Sequence, residues 1–197
     1  MTETQPTPRE ARLLRAPAAT ADTLVLAGTR LYLRPIEPDD RDGLAALFDR
    51  LSPASRRLRY LIPKRALTAR ELASATDVDH VRDEAIVAID VSDGSIVGVA
   101  RYAHDADRAG VAELAVEVAD DVQCLGIGTQ LARRVVDRAR ANGFSVLTAT
   151  TLWENRDARA LLRRLGFRAC WIRHGSIDSQ LQLHHGAYEH TAGFAHA

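Results

Sequence analysis

The sequence is poor in the features that mark secreted, membrane-bound or nucleic-acid-binding proteins. It has two cysteines, Cys124 and Cys170, in 197 residues. They form neither a metal-ligand spacing nor a disulfide framework, as expected in a reducing compartment. No apolar run approaches the roughly 20 residues of a membrane span, and residues 1–15 are polar, with prolines and scattered charges, unlike a secretory signal. Neither sign of charge dominates, since 26 Lys and Arg balance 26 Asp and Glu, so there is no global basic field for nucleic acid. These absences predict a soluble, cytoplasmic protein, monomer or homodimer, with no membrane or nucleic-acid partner.

The length suits one domain with a sizeable core. Residues 1–22 contain three prolines and no apolar period, so they read as a flexible tail. Residues 184–197 read as a second one, in which His184, His185 and His190 have no fixed scaffold for a metal, and none is expected. The domain is then residues 23–183. Trp153 and Trp171 are expected in the core or a cleft wall.

Residues 111–167 organise the domain. Leu114, Val116 and Val118 alternate with Glu113, Ala115 and Glu117, the period of a strand with one apolar face. An acidic turn leads to Gly126-Ile127-Gly128, after which Ile127, Leu131, Val135 and Ala139 fall on one face of a helix that Asn142-Gly143 ends. A strand feeding a glycine turn that opens a helix is a seat for an anion, because the first helical amides lack partners at the positive end of the dipole. No third glycine completes a dinucleotide fingerprint, Leu131 standing there, and no Gly-Lys-Ser/Thr makes a nucleotide P-loop.

Elsewhere the chain alternates strands and helices. A hairpin around Ala27-Gly28 opens the sheet, and Pro38-Asp39 start a helix that buries Leu44, Leu47, Phe48 and Leu51. Ser52-Pro53 cap a second helix that carries Arg56, Arg57 and Arg59, read either as a solvated face or as the acceptor side of a cleft. Residues 68–75 read as a short helix. Strands at 85–89 and 96–102 join through Ser92-Asp93-Gly94 and run antiparallel into the strand at 111. Residues 144–151 form a strand parallel to it, reached through the helix. Asn155 caps a further helix with Ala158, Leu161, Leu162 and Leu165 inward, and a closing hairpin follows at 167–183.

The combination of Glu113, Gln123-x-x-Gly126-x-Gly128 and Asn155-x-x-Ala158-x-x-Leu161-Leu162-x-x-Leu165-Gly166-Phe167 resembles the GNAT superfamily of acyl-CoA-dependent N-acetyltransferases. The phrases beginning at Arg34, Leu51 and Ile96 resemble its bacterial Pat-type protein-lysine acetyltransferases. The resemblance implies an α/β (α+β) fold with a mixed, mostly antiparallel sheet, one parallel pair splayed by a bulge, and flanking helices. It implies acetyl-CoA as cosubstrate, its pyrophosphate on the amides of Gln123, Cys124, Leu125, Gly126, Ile127, Gly128 and Thr129, and its pantetheine along Val116, Glu117 and Val118. Arg133 and Arg134 are candidate helpers at the phosphates. Asn155 is read as either a pantetheine ligand or a plain helix cap.

Acyl transfer to an amine requires the amine neutral, which for a lysine of pKa about 10.4 costs about 4.6 kcal/mol at pH 7. A base is therefore needed. Glu113 is the candidate, with Glu117 its rival on the same face roughly 13 Å away; the resemblance favours Glu113. Leu162 stands where many relatives carry a tyrosine that protonates the leaving thiolate. The expected function is acetyl transfer to a protein lysine, with a small-molecule amine as the alternative acceptor and a non-catalytic acyl-CoA sensor as the alternative class.

Overall fold

A computed structural model describes residues 22–183. The expected tails, apart from Asp22, and the three histidines read with the second of them, lie outside the described residues. The chain runs β1 (Asp22–Leu26), β2 (Thr29–Pro35), α1 (Arg41–Asp49), α2 (Pro53–Tyr60), α3 (Ala69–Thr76), β3 (Asp83–Asp90), β4 (Ile96–His104), β5 (Val111–Val118), α4 (Ile127–Ala141), β6 (Val146–Leu152), α5 (Arg156–Arg164), β7 (Arg168–Arg173) and β8 (Ser176–Gln182). All eight strands join one sheet in the order β1-β2-β3-β4-β5-β6-β8-β7. Among the described residues only β5 and β6 pair in parallel, as a strand–helix–strand crossover requires.

The sequence periods place the layers. Ile127, Leu131, Val135 and Ala139 of α4 are buried on one sheet face with Leu114, Leu147 and Phe167. On the other face, Leu44 and Leu47 of α1 pack on Ala85, Val87 and Ile89 of β3. Local chemistry sets the element ends: Ser52 Oγ accepts from Ser55 N at the start of α2, and Thr68 forms a capping box with Glu71 at the start of α3.

Two expectations are corrected. Trp153 and Trp171 are neither core nor cleft wall, being 53% and 61% exposed; Trp171 lies on the edge strand β7, and the Trp153 ring carries the Arg159 guanidinium 4.3 Å from its centre. The implied bulge in β5 is not present either, since its register with β4 runs unbroken from His104↔Ala112 to Gly98↔Val118. The parting happens on the other side of the strand. Beyond Glu113↔Thr148, β5 has no partner on β6, although β6 stays paired with β8 along its other edge from Val146 to Leu152.

Candidate active site

Gly126 takes φ +90 and caps α4, a conformation that a side chain would strain. The first helical hydrogen bond runs from Gln130 N to Gly126 O at 3.1 Å, so the amides of Ile127, Gly128 and Thr129 precede it and point out of the helix entrance. A Cβ built on Gly128 would lie 3.4 and 3.5 Å from the Val118 and Val116 side chains, in the wall of a cavity of about 400 Å³. Free amides, a dipole end and close backbone access fit a pyrophosphate.

Other residues expected at this turn are placed as follows. Cys124 is exposed, lines the cavity and takes φ +62. The Gln123 side chain braces the turn, its Nε2 donating to Val118 O at 3.0 Å and Asp120 Oδ1 at 2.9 Å. Leu125 packs against the core. Arg134 is held by Asp22 and by Gln130 O at 3.1 Å, and Arg133 is exposed. The cation that does line the cavity is Arg164 of α5, for which sequence reading offered no signal.

The parted strands enclose a second cavity of about 340 Å³ that shares Val116, Val118 and Leu161 with the first. The unpaired edge of β5 over residues 114–118 lies here, able to bond an extended ligand as an added strand would. Asn155 combines its two readings. Its Oδ1 accepts from Ala158 N at 3.0 Å, capping α5, while its amide NH₂ makes no hydrogen bond among the described residues and lines the cavity. Leu162 is buried where a tyrosine was sought.

The two carboxylates of β5 differ sharply. Both line the second cavity, but Glu113 is exposed whereas Glu117 is 7% exposed. Tyr60 OH donates to Glu117 Oε2 at 3.0 Å, and Arg59 Nε lies 3.6 Å from the same oxygen. Burial raises the Glu117 pKa above the ordinary carboxylate value, against the lowering pull of Arg59, the Tyr60 hydrogen bond and Arg56. Burial and the adjacent carboxylate together raise the Tyr60 phenol, which stays protonated. Glu117, Tyr60 and Arg59 also wall a third cavity, of about 350 Å³, on the side of α3. Glu117 therefore stands where the second cavity meets the third.

The basic residues of α2 divide between the two readings given to them. Arg56 folds over the Phe48 ring at 4.2 Å, Arg57 reaches across the cleft mouth to Glu154, and Arg59 turns to Glu117. Tyr60 was missed as a site residue; its signal was its position, the last residue of a proline-started helix whose cap fixes the phase. Arg101 was missed too. It reaches the third cavity because β4 and β5 pair in register, opposite Ala115 and beside the Val99↔Glu117 pair.

Residues 47–167, more than half of the chain, match the Acetyltransferase (GNAT) family. Acetyltransferase PA5475 of Pseudomonas aeruginosa is 36% identical over 142 residues, covering 71% of this chain and 76% of that protein. Acetyltransferase Pat of Mycolicibacterium smegmatis is 30% identical over 158 residues, covering 76% of this chain but only 44% of that longer protein. Among solved structures, the GNAT domain of S. lividans PAT superposes with a TM-score of 0.78 at 24% identity, covering 86% of this chain and 100% of that one. The yncA acetyltransferase of Salmonella typhimurium, solved with its cofactor acetyl-CoA, gives 0.66 at 20% identity, covering 80% and 96%. A family match across the whole strand–turn–helix centre agrees with a relative sharing most of its length: this chain belongs to the acetyltransferase (GNAT) family and is an acetyl-CoA-dependent N-acetyltransferase.

Proposed function

We propose that the protein transfers the acetyl group of acetyl-CoA to a primary amine, foremost a protein lysine side chain in the cytoplasm, by direct attack on the thioester with a β5 carboxylate as general base. The observation that carries this reading is the position of Glu117, buried at the junction of the coenzyme cleft and the third cavity. Burial makes it a stronger base than a surface carboxylate, and Tyr60 and Arg59 hold it in place. Glu113 is the second reading. It lines the same cleft from an exposed position, and it takes the proton if the amine approaches along that wall.

The coenzyme lies with its pyrophosphate at the α4 entrance and its pantetheine along the free edge of residues 114–118, where a backbone amide near Val116 polarises the thioester carbonyl. Acetyl-CoA supplies the acyl carbon and accepts the electron pair of the broken C–S bond as a thiolate. With a pKa of about 8.5 that thiolate leaves without an acid. Tyr60 does not take the place of the tyrosine absent at Leu162, its hydroxyl being committed as a donor to Glu117 Oε2. Its part is to position Glu117. A protein lysine is favoured by the Pat-type phrases, and the basic α2 beside the third cavity suits acidic residues around such a lysine rather than the ammonium itself. A small amine is the second acceptor reading, favoured by a cavity of about 350 Å³, which suits a small ligand.

Thiol release from acetyl-CoA against a panel of lysine peptides and small amines tests the function. Glu117→Gln is expected to lower kcat/KM about 100- to 1,000-fold with acetyl-CoA affinity retained, and Glu113→Gln less than about threefold. The opposite ranking assigns the base to Glu113.

A further inference from the structure

The third cavity carries more positive charge than a base and its supports require. Its charged walls are Arg59, Arg70, Arg101, Glu71 and Glu117. Both acids are already engaged, Glu71 with Lys64 and Thr68, and Glu117 with Tyr60 and Arg59. Arg101 is half-buried and makes no hydrogen bond or ion pair with any described residue. Asp83, the acid whose field reaches it, instead accepts from His104 N and faces His104 Nδ1, both at 3.0 Å. Arg70, at the exposed rim, is likewise without a partner among the described residues.

An unpaired guanidinium withdrawn from water is destabilising unless an anion compensates it. Burial, and then the like charge of Arg59, push the Arg101 pKa down, consistent with an electropositive wall. An ordinary ammonium entering this cavity meets repulsion. An acceptor that brings its own negative charge does not, and it gives the guanidinium fork a planar partner.

Resting on the proposed acyl transfer, we infer that Arg101, with Arg70 at the rim, binds a carboxylate of the acceptor close to its reactive amine, so that the preferred acceptors are amines carrying a nearby carboxylate. Arg101 is then a specificity-determining residue, one cross-strand step from the base. Two sources share this chemistry: the α-carboxylate of a small amine, and an Asp or Glu side chain flanking a lysine in a peptide.

The test uses pairs of acceptors that differ only in charge, with thiol release as the readout at saturating acetyl-CoA. Lysine is compared with lysinamide, and the blocked peptide Asp-Lys-Asp with Asn-Lys-Asn. In one pair at least, the anionic member is expected to exceed its neutral isostere about tenfold or more in kcat/KM, and that pair identifies the source. Arg101→Gln should bring the ratio near one, mainly through KM, and Arg101→Lys should keep part of it. Thermal melting controls for folding. Equal use of charged and neutral isosteres, or a ratio that survives Arg101→Gln, overturns the inference while leaving acyl transfer intact. Should no amine release thiol, acyl transfer fails and calorimetry of Asp-Lys-Asp binding decides: binding lost about tenfold in Arg101→Gln supports the carboxylate site, and no change overturns it.

Discussion

At the scale of single residues, Glu117 shows how burial makes a base and what that does to stability. Its folded pKa is raised by burial, so the folded state favours the protonated form. Its contribution is fully present below the ordinary carboxylate pKa and is lost as pH rises through the folded value. Glu117→Gln is therefore expected to melt above the parent at pH 7 and to match it near pH 4, a crossover that thermal melts across pH will show. A variant that loses both activity and stability at pH 7 contradicts the assignment. The sequence put both glutamates on one strand face correctly, but strand period alone gives no burial. That came from α2, which lays Tyr60 and Arg59 over the position of Glu117 and leaves Glu113 uncovered. Cys124 sits at φ +62, a left-handed conformation that glycine adopts with less strain than a side-chain-bearing residue.

At the scale of elements, apolar period and capping chemistry made most of the helices and strands legible. The switch from period two to 3.6 at Gly126 marked the β5–α4 boundary, and Asn155 marked the start of α5. The parting of β5 from β6 was legible only through the family resemblance, and it occurs without the implied bulge, β5 staying in register with β4 while its pairing with β6 stops at Glu113↔Thr148. Gly128 tests how tightly the α4 entrance and this parting form one groove. An added methyl meets Val116, Val118 and Leu161 only at ordinary contact distances, so the fold tolerates Gly128→Ala and gains up to about 1 kcal/mol from helix propensity. The methyl nonetheless fills the cavity wall. Gly128→Ala is expected to raise the KM for acetyl-CoA about tenfold while raising the midpoint of urea unfolding; unchanged KM would place the coenzyme elsewhere.

At the scale of the whole molecule, a net charge of zero hides a strong local division of charge. Arg59 and Arg101 are 42 positions apart in the chain, and only the packing of α2 on the sheet brings them to one cavity, so no reading of charge along the chain could find it. The Arg34-to-Asp40 phrase that suggested the branch has a structural use of the same long-range kind. Both terminal guanidinium nitrogens of Arg34 donate to Asp40, Nη1 to Oδ2 and Nη2 to Oδ1 at 2.7 Å each, and Asp40 Oδ2 also accepts from Glu37 N at 2.8 Å. With side chains 5% and 6% exposed, this fork ties the end of β2 to the start of α1 inside the protein. Removing one partner leaves a buried guanidinium, so Asp40→Ala is expected to cost about 3–5 kcal/mol in urea unfolding. Replacing both residues together, Arg34→Met with Asp40→Leu, should restore most of that loss, because an apolar pair carries no desolvation penalty. A double variant as unstable as Asp40→Ala would mean that the hydrogen bond from Glu37 N, rather than the charge pair, holds α1 against the sheet that carries Glu117.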